Sequence, residues 1–327
     1  MFHPLNVVRK NPRTRHILVT AMFLVVSIVF GHHSGAASSP VLRKQTARVR
    51  FTSRYLIAVK GSPSQCTLTA LIPQTIPDRQ EVIALDYSMR PSRVFTQDGN
   101  RYAEFSVAKP RNDDVIAITA TMALQGRGIG NPGLTAIRDD ASLASFLLSE
   151  PGIDRDLPVL REAARNLPKG DEIEKLRAIY SFVSGKLSYR GYVSEDVGAA
   201  HALEKAYGDC SDFTDVFVSL CRAAGIPARS VDGYLVNYGN DTPRHTWAEA
   251  YTRKYGWVPI DILLTYLKKV PFDGLPPEYI YLSRVRNDAV INNYHFFACN
   301  FSGGSITVTD HYAVEHLPDA VLQASAR

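Results

Sequence analysis

The stretch from Tyr207 to Tyr234, YGDCSDFTDVFVSLCRAAGIPARSVDGY, constrains this chain more than any other. After Cys210 the apolar side chains fall at Phe213, Val216, Phe217, Leu220, Cys221 and Ala224, a helical spacing that predicts one buried face. Gly225 stops the helix and Pro227 prevents it from resuming before the next run, which reads as a strand. Cys210 therefore lies in the first turn of a helix. Unpaired backbone N–H groups and the positive end of the helix dipole favour thiolate over thiol there. The same N–H groups suit an oxyanion formed when a nucleophile attacks an acyl carbon. A cysteine alone is more often a small core hydrophobe, so partners are needed.

They lie downstream. Arg244-His-Thr-Trp-Ala-Glu-Ala-Tyr251 alternates as a strand does, and Gly256-Trp-Val-Pro-Ile-Asp261 reads as its neighbour after a short turn. Antiparallel pairing would bring His245, near the start of one strand, beside Asp261, at the end of the other. Nucleophile, general base and a carboxylate that fixes the imidazole tautomer then occur in that chain order. His201 is a rival base, closer to Cys210 in sequence but outside this strand pair.

These segments, G-D-C on a helix, A-G-I-P-A-R-x-V-x-G-Y, H-x-W-x-E-x-Y and G-W-x-x-x-D, resemble the core of the transglutaminase-like superfamily, a branch of the papain-like thiol enzymes. The resemblance runs from about Leu176 to Asp261. It implies Cys210 as nucleophile, His245 as base and Asp261 as orienting carboxylate. Related enzymes use an aromatic side chain near the cysteine loop to help bind the oxyanion, which makes Tyr192 a candidate. Trp247 is a candidate wall of the site that contacts substrate or oxyanion. The implied fold class is α+β, an N-terminal β-sandwich followed by a transglutaminase-like (papain-like) α+β catalytic domain.

Residues 1–16 carry Arg9, Lys10, Arg13 and Arg15 without an acid, and an apolar run follows from Ile17 to Phe30. That run is short for a membrane span and fits a signal-peptide core, with Ser34-Gly-Ala36 offering small residues for cleavage. Residues 1–36 are read as a signal peptide, the alternative being an uncleaved anchor at 17–30. The expected location is periplasmic or secreted, with membrane contact only if the segment is retained. Its four basic residues account for most of the formal charge of +5, leaving +1 without them. No basic run interleaved with aromatics remains, so nucleic acid is excluded as a partner.

About 290 residues then suffice for two cores. Residues 40–125 read as a β-sandwich module, with TARVRFTSRYLIAV, CTLTALI, EVIALDYSM, RYAEFSVA and DVIAITATMAL as strands. Gly126-Arg-Gly-Ile-Gly-Asn-Pro-Gly133 lacks the Lys-Ser/Thr ending of a phosphate loop, so 126–140 is assigned as a linker. Residues 141–327 form the catalytic domain, with helices predicted at 141–148, 157–166 and 171–187 and a C-terminal β extension from YHFFACNF and SITVTDHYAV. Arg229 and Glu249 are expected to make structural polar contacts. Cys221 is expected in the core, and Cys66 and Cys299 as free thiols in separate halves. No cofactor or metal is predicted, since D-x-D-x-D-G spacing is absent and the histidines lack a zinc pattern.

The expected chemistry is acyl transfer on amide or peptide bonds of a protein or peptide substrate, cell-wall peptide among the options. Hydrolysis and amine transfer would use the same three residues, and hydrolysis is favoured. The alternative is a non-catalytic transglutaminase-like binding module in an envelope assembly.

Overall fold

The computed structural model describes residues 46–129, 143–192, 197–236, 244–293 and 296–318. The expected signal peptide or anchor lies outside these. The first half comprises β1 (Thr46–Lys60), β2 (Gln65–Leu71), β3 (Gln80–Tyr87), β4 (Arg93–Gln97), β5 (Asn100–Ala108), β6 (Asp114–Gln125) and the two-residue β7 (Arg127–Gly128). Next come α1 (Pro158–Arg165), α2 (Glu172–Lys186), β8 (Ser188–Tyr189), α3 (Gly198–Lys205), β9 (Tyr207–Gly208) and α4 (Cys210–Ala223). The chain continues through β10 (Ala228–Leu235), β11 (Arg244–Thr252), β12 (Gly256–Ile260), α5 (Ile262–Tyr266), β13 (Gly274–Leu275), β14 (Tyr279–Ser283), β15 (Phe297–Ser302) and β16 (Ser305–His316). Among the described residues, no helix is long and apolar enough to cross a membrane.

Two four-stranded sheets, ordered β16-β1-β6-β3 and β15-β2-β5-β4, form the sandwich. Alternation drives it: Val49, Phe51, Tyr55 and Ile57 on β1 and Ile116, Ile118, Ala120, Met122 and Leu124 on β6 all point inward. The five strands expected from sequence are present, and the short, largely exposed β4 joins them. The last two strands do not extend the second half, as a C-terminal β extension of it would. β16 runs antiparallel to β1 from Val49↔His316 to Lys60↔Ser305, and β15 pairs with β2. A 15-residue β1 would otherwise leave an unpaired edge along the sandwich, and β16 covers it. This pairing brings Cys66 and Cys299, both free thiols, to an Sγ–Sγ distance of 3.0 Å. Of the expected linker, Arg127–Gly128 pairs with Gly274–Leu275, while residues 130–140 lie outside the description.

A third sheet, ordered β12-β11-β10-β14, carries the second half, with α4 packed against β11 and β10. Periodicity predicts one buried face for α4, yet Asp212 to Arg222 are all buried. Its polar residues are buried with partners: Asp215 pairs with Arg286 at 2.9 Å, and Arg222 pairs with Glu150 at 2.8 Å. The helix expected at 141–148 ends as a 3-10 turn over Ser145–Leu147, and α3 is a helix in a stretch where none was predicted.

The sandwich is locked onto the third sheet. Phe51 and Met122 share a core with Tyr234, Ile280 and Leu282. The Gln80 side chain donates to the Tyr281 carbonyl at 2.9 Å and accepts from its N–H at 2.8 Å. Gly233 is required where β10 meets β14, because a Cβ there would lie 1.8 Å from the Ile280 carbonyl oxygen.

Candidate active site

Cys210 is the first residue of α4 and is partly buried. Asp209 caps the helix by accepting from the Ser211 N–H at 2.9 Å, and Asp212 reaches back to the Asp209 N–H at 3.0 Å. This reciprocal box settles two of the terminal donors. Among the described residues the Cys210 N–H donates to nothing, so a backbone donor remains beside the thiol.

His245 lies near the start of β11, buried and opposite Gly233. Its Nε2 is 2.7 Å from Asp261 Oδ2. The start of α4 lies beside the start of β11, where the hydroxyls of Ser211 and Thr246, the residues after Cys210 and His245, are 3.4 Å apart. Burial pushes the imidazole pKa down, but the Asp261 charge and hydrogen bond, followed by Cys210, outweigh it and hold the ring well above its ordinary range. Asp261 is fully buried as the N-cap of α5. Its Oδ1 accepts from the Leu264 N–H at 2.8 Å, and its Oδ2 also accepts from the Tyr279 hydroxyl at 2.7 Å. The carboxylate is thus held by a helix terminus on one side and by β14 on the other.

The structure therefore assembles Cys210, His245 and Asp261 from three elements. Tyr279 joins them without having been singled out from the sequence. The alternation of Tyr279 and Tyr281 in EYIYL marked a strand face, but nothing local indicated which sheet that strand would enter. Trp247 is fully buried, stacked near His245 at 6.3 Å and edge-on to Tyr279 and Tyr281. It packs against the imidazole and the two tyrosine rings. Tyr192 is 79% exposed, and among the described residues no hydrogen bond or ring contact joins it to the other three. His201 is exposed on α3, away from any described contact with Cys210.

Two residues along β11 from Trp247, Glu249 is buried between Arg79 and Arg229. Arg79 comes from the sandwich, where its Nε donates to Oε1 at 3.0 Å. Arg229 Nε and Nη2 donate to Oε2 at 3.0 and 2.6 Å. Burial alone would raise this carboxyl, but the guanidinium charges pull its pKa down to about 2.

Comparison with known proteins agrees with this architecture. Residues 161–262 match the family model of the transglutaminase-like superfamily. A solved structure from Cytophaga hutchinsonii, described as a candidate cysteine protease, superposes with a TM-score of 0.61 at 18% identity, covering 84% of this chain and 92% of that one. An uncharacterized Haemophilus influenzae protein is 24% identical over 249 residues, 64% of this chain and 67% of its own. An uncharacterized Mycobacterium tuberculosis protein is 29% identical over 140 residues, 37% of this chain; the match spans 45% of that relative's length.

Proposed function

We propose that this protein is a thiol-dependent acyl-transfer enzyme acting on amide or peptide bonds through Cys210, His245 and Asp261. The observation that carries this reading is the buried His245 ring 2.7 Å from Asp261, on the strand whose next residue, Thr246, meets Ser211 beside Cys210 at the start of α4. His245 Nδ1 takes the thiol proton, and the thiolate attacks the carbonyl carbon. The resulting oxyanion is stabilised by the Cys210 N–H. Collapse expels the amine, which takes a proton from the imidazolium, leaving a thioester. Water, activated by the same ring, returns the acid and the free thiol; an amine in its place would give a cross-link. Hydrolysis of a protein or peptide is the favoured outcome. Export rests on the basic and apolar order of residues 1–30.

The test is the rate of Cys210 alkylation by iodoacetamide against pH, in wild type and His245→Ala, with the modified residue mapped by mass. Enhanced reactivity persisting below about pH 7 and lost in the variant is expected. Rates following an ordinary thiol of pKa about 8.5 in both proteins would favour the binding module. Cleavage of a peptide library, run beside ammonia release from glutamine peptides, separates peptidase from glutamine-directed chemistry.

A further inference from the structure

Where β14 ends, the first residues of β10 form an open sheet edge facing the Ser145–Leu147 turn and the segment 284–286. A cavity of about 290 Å³ lies there, at the small end of ligand pockets. Arg222, Arg229, Arg284 and Arg286 line it, with Ser230 and Glu150. Arg229 is four residues along β10 from Gly233, the register partner of His245, so the cavity lies about 13 Å along the strand from the catalytic histidine.

Its charge is not balanced. Arg222 is paired with Glu150, Arg286 with Asp215, and Arg229 shares Glu249 with Arg79. Arg284 has no carboxylate partner among the described residues; its Nη2 reaches only the Gly99 carbonyl, at 3.3 Å. Among the described residues, guanidinium groups thus outnumber the carboxylates around the cavity. The Nε of Arg284 and the hydroxyl of Ser230 are both buried without a hydrogen-bond partner among the described residues. Burial, followed by the neighbouring Arg229 charge, lowers the Arg284 pKa despite Glu249, which marks a site short of negative charge. Buried polar atoms left in this state ordinarily have a ligand or water to meet.

We propose that this cavity binds a phosphate-class oxyanion, free or as a phosphate ester, through the guanidinium groups of Arg284 and Arg229 and the hydroxyl of Ser230. The guanidinium fork matches tetrahedral and planar oxyanions alike. Guanidinium groups in excess of carboxylates among the described residues favour a dianion over a monocarboxylate.

The test is calorimetric titration of the full chain with inorganic phosphate, with acetate at matched ionic strength as control, alongside melting curves in both buffers. Wild type should bind phosphate and melt higher in it than in acetate. Arg284→Gln should lose at least tenfold in affinity, and Ser230→Ala several-fold, with Cys210 alkylation rates unchanged. In phosphate-free buffer Arg284→Gln should melt as high as wild type or higher, because it removes a buried charge that has no carboxylate. Absence of phosphate binding, or binding indifferent to both substitutions, would overturn the site. Equal binding of acetate would overturn its assignment to phosphate. If phosphate esters bind and free phosphate does so more weakly, the occupant is an ester.

Discussion

Replacing Glu249 by Gln should cost this protein roughly 3 kcal/mol at neutral pH. The carboxylate is 2% exposed and holds Arg79 from the sandwich and Arg229 from β10. Its pKa falls from an ordinary 4.5 to about 2, and at about 1.4 kcal/mol per tenfold change that displacement corresponds to roughly 3 kcal/mol. Breaking a buried pair and stranding its cations independently suggests about 3–5 kcal/mol. The sign follows from the depressed folded-state pKa. The contribution is complete above about pH 4.5 and disappears as pH falls through about 2. Urea unfolding of wild type and Glu249→Gln, both with Cys210→Ser to suppress oxidation, would be followed from pH 7 down to the acid limit of folding. The gap should be near its full size at pH 7 and narrow steadily below pH 4.5. A gap under about 1 kcal/mol at pH 7, or one that does not change with pH, would refute the assignment of Glu249 as the ionic tie between the sandwich and the third sheet.

Asp261→Asn removes the charge that outweighs burial at His245, so the ring should titrate below 6.5 instead of well above it, as followed by imidazole NMR, and Cys210 reactivity should drop by about 10²–10⁴. Tyr279→Phe deletes one hydrogen bond to the same carboxylate and should cost about 1–2 kcal/mol of stability in urea melts, with roughly tenfold lower reactivity. Gly233→Ala places a methyl 1.8 Å from the Ile280 carbonyl oxygen and 2.9 Å from Trp247, so thermal melts should show a loss of roughly 3 kcal/mol or no folded protein. Oxidised glutathione should couple Cys66 to Cys299, the two thiols giving up their hydrogens as the oxidant is reduced; non-reducing peptide mass mapping would find the pair. Closing a loop between residues 233 positions apart should add roughly 2–4 kcal/mol, and no cross-link under oxidation would contradict the closeness of β2 and β15.

Local chemistry in the sequence was enough to predict the strand alternation of the sandwich, the helix entered at Cys210 and the strand pair carrying His245 and Asp261. Each depends on neighbours within a few residues: periodicity of burial, caps, and a short turn that leaves antiparallel pairing as the economical connection. The same locality explains what was not legible. Tyr279, Arg79 and Arg284 act on groups 18, 170 and 185 residues away, and no spacing rule joins a side chain to a partner brought close only by the fold. Nor did a pattern in SITVTDHYAV say that it would cover β1 and not extend the second half. A strand's alternation specifies which face is buried, but its partner is chosen by whichever edge is left unpaired. The sequence by itself determined the reactive elements and their order. Only the tertiary structure decided how buried charges are divided among sheets, because desolvation makes each such charge depend on groups brought together from distant parts of the chain.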